Sequence, residues 1–177
     1  MRSGPEHARW YSGDFRECNA FTLVAMNRDH VNPWSAFEAD SPNLADVGQQ
    51  RLNEAPNYLA TARDGKPRVH PVSARIKGGR LALYMYPNSP KGKDLLTDGR
   101  YALHCSVADD EGGAGEFYVR GFAVRADDPD HQQLMADAGF PPKDGYVVFE
   151  LGVDEAFSCT YETEALEPII QRWHRPA

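Results

Sequence analysis

The sequence predicts a mainly β protein, a small antiparallel barrel of six to seven strands with short helices. Two observations point there. Short runs of alternating apolar residues recur between Asn57 and Tyr161, separated by turn residues. Two glycine turns, Asp64-Gly65 and Gly78-Gly79, join neighbouring runs as hairpins. This spacing suits a closed barrel better than a parallel α/β sheet.

The elements follow in order. Met1 to Pro33 shows no clear period and reads as an N-terminal extension, leaving residues 34–177 as one domain. The extension has two readings: an over-called start with Val31 as the native initiator, or an arm that crosses a dimer. Ser41-Pro42 reads as an N-cap followed by proline in the first turn of a helix that ends at Pro56, with Leu44, Val47 and Leu52 as its apolar stripe. Asn57–Arg63 is a strand and Arg68–Ile76 its partner. Arg80–Tyr86 follows, with Leu81, Leu83 and Met85 facing one way and Ala82, Tyr84 and Tyr86 the other. A short helix starts at Ser89-Pro90, burying Leu95 and Leu96, and ends near Gly99. Tyr101–Val107 and Glu116–Arg125 are strands flanking an acidic, glycine-rich loop, and Gly121 is read as a bulge. Pro129–Ala138 is a helix, Tyr146–Leu151 and Ala156–Tyr161 are strands, and the tail carries Trp173.

Composition narrows the function. The 177 residues carry 41% hydrophobic and 25% charged side chains, which fits one folded domain. Three cysteines make no disulfide scaffold and point to a reducing, cytoplasmic setting. No apolar run is long enough to span a bilayer, so no membrane partner is expected. A net charge of −7 argues against nucleic acid. The charge is uneven, however. Arg63, Lys66, Arg68, Arg75, Lys77, Arg80, Lys91, Lys93 and Arg100 face only Asp64, Asp94 and Asp98, so this stretch is +6 and the remainder −13. A basic centre in an acidic chain suits one compact anion such as a phosphate; ordinary solvated strand faces are the alternative.

The chemistry concentrates in Tyr84-Met85-Tyr86-Pro87-Asn88-Ser89-Pro90-Lys91-Gly92-Lys93. A strand ends, a polar turn follows and a helix begins. Helix starts offer free N–H groups and a favourable dipole to anions. Ser89 adds a hydroxyl, Lys91 and Lys93 add charge, and Gly92 permits close approach of a ligand to the backbone. Arg68 reaches the same point across the hairpin with a fork that suits phosphate. A plain capped helix with surface lysines remains the other reading. His70 is a candidate proton donor, or a strand residue bonded to its neighbours. His104 reads as a core or interface residue, and Cys105 and Cys159 as buried, inert thiols. No local spacing resembles a metal site.

Arg68-Val69-His70-Pro71-Val72, the Ser89-Pro90-Lys91-Gly92-Lys93 turn, Asp98 to His104 and Glu116 to Gly121 together resemble the pyridoxamine 5′-phosphate oxidase-like family. The resemblance covers about Ser41 to Pro129 well. It implies a Greek-key split β-barrel, a homodimer with flavin mononucleotide (FMN) at the interface, and two-electron redox chemistry on a small-molecule substrate. By position it assigns Arg68, Ser89 and Lys91 to the phosphate, with Lys93 as a second basic residue. It assigns Val69, His70, Tyr84 and Met85 to strands along the flavin, and Glu116 to a contact from the other subunit. Pro90 stands where the authentic oxidases usually carry Arg or Lys, and Glu116 where the family often has glutamine. Arg172-Trp173-His174 resembles the terminal strand rather than the substrate motif, so pyridoxamine phosphate is not the expected substrate. Related barrels use a deazaflavin coenzyme or haem, some without catalysis, and these stand as alternatives.

Overall fold

The computed structural model describes residues 28–54, 56–107, 115–161 and 167–177. The expectations for residues 1–27 of the extension and for the tip of the acidic, glycine-rich loop lie outside them. After a 3₁₀ turn at Arg28–His30 come α1 (Trp34–Asp40), α2 (Pro42–Asn53), β1 (Asn57–Arg63), β2 (Lys66–Val72), β3 (Arg75–Lys77) and β4 (Arg80–Met85). Then follow α3 (Pro90–Thr97), β5 (Arg100–His104), β6 (Glu116–Arg125), α4 (Pro129–Asp137), β7 (Val147–Leu151), β8 (Glu155–Tyr161) and β9 (Pro168–His174). The strands pair antiparallel in the order β2-β1-β5-β6-β7-β4-β3, with β8 joined to β6 and β9 to β8. The sheet curls into the mainly β barrel expected from the sequence.

Strand β6 holds the two halves together. Glu116 to Arg120 pair with β8, and Ala123 to Arg125 pair with β7. The crossing lies at Gly121, where the sequence suggested a bulge. Pairing with β5 runs unbroken through Gly121, opposite Tyr101, so β6 itself is regular there. The irregularity is in the partner: residues 121–122 face three residues, 152–154. Gly121 is needed for close approach, since a Cβ there would lie 2.0 Å from the Gly152 carbonyl oxygen. The same carbonyl accepts a bond of 2.9 Å from the buried Tyr101 hydroxyl.

Several boundaries differ from the sequence reading. A helix, α1, precedes the expected one and puts Trp34 and Phe37 into the core. Gly48 leaves room for those rings: a Cβ there would meet Phe117 at 2.3 Å and Trp34 at 2.8 Å. Helix α2 begins at Pro42 as expected, but the Ser41 side chain makes no capping bond. Just before α1, Asn32 is tied to Val153 by two hydrogen bonds, at 2.7 and 2.8 Å. The single strand expected over Arg68–Ile76 is two strands, broken where the Ala74 N–H turns aside to the Asn57 side chain at 3.0 Å. Leu95 is buried, but Leu96 is exposed. The terminal strand that Arg172-Trp173-His174 suggested is β9, which begins earlier, at Pro168, and carries Trp173 against Phe37 with ring centroids 4.8 Å apart.

Strand β4 is covered on both faces, which explains its apolar composition. Leu81, Leu83 and Met85 face the main core, while Ala82 and Tyr84 pack with Met135, Phe140 and Val148 in a smaller cluster under α4. Two buried carboxylates pin helices to this framework. Asp94 holds α3 to β1, and Glu150 joins Arg80 of β4 at 2.5 Å to His131 of α4 at 2.7 Å. Of the glycines among the described residues, Gly121 leaves the least room for a side chain. We expect Gly121→Ala to cost about 1–3 kcal/mol of stability by overpacking, read as a lower urea midpoint with an unchanged slope.

Candidate functional site

The alternation of β2 sorts the predicted residues onto two faces. Arg68 and His70 stand opposite Thr61 and Leu59 and face inward, while Val69 and Pro71 stand opposite Ala60 and Tyr58 and face outward. The inward pair meets Asp94, which is 1% exposed and lies on the covered side of α3. The Thr61 hydroxyl donates to Asp94 Oδ2 at 2.9 Å, and Arg63 Nε donates to Oδ1 at 2.6 Å. Arg68 Nε and His70 Nε2 both lie 3.6 Å from Oδ2. Burial pushes the Asp94 carboxyl up, but Thr61, Arg63 and Arg68 outweigh it and hold it below the usual carboxylate range.

This arrangement fixes how His70 is protonated. The Thr61 hydroxyl uses its one hydrogen on Asp94, so toward His70 Nε2, 3.3 Å away, it can only accept. Nε2 is therefore the protonated nitrogen, and Nδ1 is the basic one. Burial and the Arg68 charge lower the pKa of His70, against the pull of Asp94.

Beside this cluster lies a cleft of about 640 Å³, between the end of β2, β3, β4, the start of α3 and the segment after α4. Its charged lining is Arg75, Lys77, Lys91 and Lys143, with no carboxylate among the described residues. Tyr84 and Phe140 form its aromatic wall. The Tyr84 hydroxyl donates to the Pro141 carbonyl at 3.2 Å, and burial raises its pKa. Lys143 Nζ sits 4.8 Å above the Tyr84 ring.

The structure brings some predicted residues together and separates others. Tyr84 and Lys91 line the cleft, with Arg68 and His70 in the adjoining Asp94 cluster. Met85 is buried in the core, and Lys93 is exposed outside the cleft. Ser89 caps α3, accepting from the Gly92 N–H at 3.2 Å, and the Lys93 N–H bonds back to the Ser89 carbonyl. Pro90 has no N–H, so Lys91 supplies the free backbone donor in this first turn. Gly92 serves packing rather than ligand approach: a Cβ would meet Ser89 Oγ and the Tyr86 carbonyl at 3.0 Å. The basic stretch now divides in two. Arg63, Arg80 and Arg100 are paired with Asp94, Glu150 and Asp98, whereas Arg75, Lys77 and Lys91 have no carboxylate partner among the described residues. Sequence reasoning missed Asp94, Thr61 and Lys143. A charged residue on the buried stripe of a short helix was the available signal for Asp94.

Glu116 lies elsewhere, on the outer face of the sheet. There Tyr58, His104, Tyr118, Phe157 and Arg172 stand opposite one another across five strands. His104, Tyr118 and Phe157 stack nearly parallel, and Arg172 covers Phe157 at 5.5 Å. His104 Nδ1 contacts the Cys105 carbonyl at 2.6 Å and Nε2 contacts Glu116 at 3.2 Å. With an acceptor at each nitrogen, His104 is an imidazolium. Its contacts with Cys105 and Glu116 outweigh burial and raise its pKa to about 9. Cys105 accepts from the Phe117 N–H at 3.2 Å, with Arg51 Nη2 at 3.6 Å. Burial pushes its thiol up, but His104, Phe117 and Arg51 together leave it below its ordinary pKa, so it is more polarised than an inert core thiol.

No family model matches this chain, and no curated protein does. Solved structures share its fold. A haem-binding protein from Mycobacterium smegmatis aligns at a TM-score of 0.54 and 17% identity over 72% of this chain, which spans 57% of that protein. General stress protein 26 from Bacillus anthracis aligns at 0.52 and 14%, over 74% of this chain and 98% of that one. PhzG from Burkholderia lata, in complex with tetrahydrophenazine-1-carboxylic acid, aligns at 0.50 and 16%, over 81% and 94%.

Asp94 supplies the test of this site's architecture. We expect Asp94→Asn to cost about 1–3 kcal/mol at pH 7, because a charge-assisted pair is lost next to Arg63. A carboxyl with a depressed folded pKa contributes stability above its unfolded value, and that contribution is lost as pH falls through the folded value. The difference between wild type and variant in urea unfolding should therefore close in acid, below the ordinary carboxylate range.

Proposed function

We propose that this chain, which has the split-barrel fold of the pyridoxamine 5′-phosphate oxidase-like proteins, is an FMN-binding oxidoreductase acting on a small molecule. The observation that carries the reading is the cationic cleft at the start of α3, with Lys91 on its wall and with the end of β2, the strand that carries Arg68, lining it at Pro71 and Val72. Its volume of about 640 Å³ lies in the range of cofactor sites. The donor set suits a phosphate monoester: Lys91 through its ammonium and free N–H, Arg68 through its fork, and the Ser89 hydroxyl hydrogen, since only its oxygen is engaged in capping. Tyr84 and the chain from Pro71 to Ser73 offer a wall for a planar ring.

Bound FMN would supply two-electron redox chemistry, so the protein needs no nucleophile of its own. Asp94 lies 3.6 Å from both Arg68 and His70, and in this reading Arg68 serves the phosphate and His70, whose Nδ1 is left without a partner, is the candidate for proton transfer.

Homodimerisation is part of this reading. The outer row of His104, Tyr118 and Phe157 gives a stacked aromatic surface, and Val69 on the same face is 65% exposed. Val69 and Glu116, the assigned cofactor residues on this outer face, would meet a cofactor only through a second copy. Among the described residues no helix is long and apolar enough to cross a membrane, and Cys105 and Cys159 are buried and unpaired, which supports a cytoplasmic setting.

The first experiment is the visible spectrum of the purified protein, with mass identification of the released ligand. Flavin bands and released FMN are expected; a deazaflavin or a Soret band would replace FMN by the corresponding alternative. Arg68→Ala and Lys91→Ala should each weaken FMN binding by about 1–3 kcal/mol, measured by fluorescence titration, and unchanged binding in both overturns the site. Light scattering should give the mass of two copies for the wild type. Val69→Asp should shift it toward one copy without loss of the circular dichroism signal; an unshifted mass removes this face from the interface.

A further inference from the structure

We propose that filling of the phosphate site and protonation of His70 are one coupled event: a phosphate that neutralises Lys91 and Arg68 brings a proton onto Nδ1 of His70, whose new charge Asp94 then balances. The proposal rests on the cofactor reading for its setting, because that reading assigns Lys91 and Arg68 to the phosphate. The charges around Asp94 do not balance in the free chain. Asp94 is 1% exposed and carries one negative charge. Arg63 Nε donates to it at 2.6 Å, and Arg68 Nε lies 3.6 Å from its other oxygen. Lys91 stands three residues before it on α3. Three cations thus share one anion before His70 is counted, and a fourth positive charge is repelled by all of them.

The charged groups that face His70 among the described residues come from three elements: Arg68 from its own strand, Asp94 and Lys91 from α3, and Arg63 from β1 by way of Asp94. Leu59, opposite it on β1, is apolar. Burial, Arg68 and Lys91 oppose the charged imidazole, and Asp94 favours it. A phosphate on Lys91 and Arg68 cancels the two cations that oppose it and leaves the carboxylate that favours it. No side chain has to move. Nε2–H already points to Thr61 Oγ1 at 3.3 Å and Asp94 Oδ2 at 3.6 Å, and Nδ1 has no partner. The added proton therefore meets an open lone pair, and the imidazolium meets a counter-ion already in place. The proton comes from water, and no covalent bond of the protein changes. Coupling of this kind is reciprocal, so protonated His70 tightens phosphate binding by the same factor. The filled site thus carries an acid near neutral pH at a side chain that the empty site keeps neutral.

The test counts protons on the purified full chain. FMN is titrated by calorimetry in buffers of different ionisation enthalpy, for the wild type and for His70→Gln, which keeps a donor but does not titrate. Ionisation of the phosphate itself is common to both, so the difference is the proton of His70. The wild type is expected to take up more protons than the variant. Binding raises the midpoint of His70, so the coupling is fully present in acid, below the midpoint of the free chain, and is lost as pH rises through that of the bound one. The ratio of wild-type to variant FMN affinity should therefore be about fivefold or more larger in acid than in alkali. Nuclear magnetic resonance of the His70 imidazole needs no variant: its midpoint should move up on adding FMN, and on adding sulfate, which brings charge without a ring. FMN that binds with equal proton uptake in both chains and leaves the His70 midpoint in place overturns the coupling and leaves the cofactor reading intact. A chain that binds no FMN but raises its His70 midpoint with sulfate overturns the cofactor reading and supports the coupling; a midpoint indifferent to both ligands overturns the coupling.

Discussion

A charge cannot stay buried without partners, and Asp94 is such a charge. Its 1% exposure obliges Thr61 and Arg63 to neutralise and bond it, and this docks α3 against the β1-β2 hairpin. The position of α3 in turn sets where Lys91 stands and which way the free N–H of the helix start points. Arg68 and His70 are drawn to the same carboxylate from the neighbouring strand. The α3 side of the cleft thus follows from the satisfaction of one buried acid.

The other side of the cleft follows from a second buried acid. Glu150 on β7 accepts from Arg80 on β4 and contacts His131 on α4. This fixes α4 over the smaller core cluster, and the segment leaving α4 carries Phe140 and Lys143 to the cleft wall. The two walls therefore rest on independent buried ion networks, joined through the strands of one sheet. Such networks are costly to disturb piecemeal, because removing one partner leaves the other charged and desolvated. That gives the cleft defined edges.

The alternation of β2 accounts for a division of labour between the faces of the sheet. Its inward residues serve the cation cluster, and its outward ones join a surface that runs to Arg172 on β9. A ring of one strand stacks on that of the next because cross-strand neighbours stand close on a pleated face. The imidazolium of His104 neutralises Glu116 on this surface. An acid at a position where the related family often carries glutamine thus comes with its own counter-charge.

The sequence by itself determined the fold class, because period-two alternation and glycine turns are local signals that survive any packing. It also marked the start of α3, since Ser89-Pro90 specifies a cap and a first turn. It missed α1, and it reached β9 only through the resemblance of Arg172-Trp173-His174 to a terminal strand: Trp34, Phe37 and Trp173 form no periodic run, and they pack together only because distant elements meet around them. It placed the irregularity at Gly121, whereas the extra residue sits in the partner segment, since a bulge belongs to a pairing and not to one strand. The basic stretch was visible as charge, but which cations are free was not. Pairing of Arg63, Arg80 and Arg100 depends on Asp94, Glu150 and Asp98, and Glu150 stands 70 residues from Arg80. Only the tertiary structure decided that three lysines and Arg75 face one cleft, because electrostatic matching is settled by distance in space rather than along the chain.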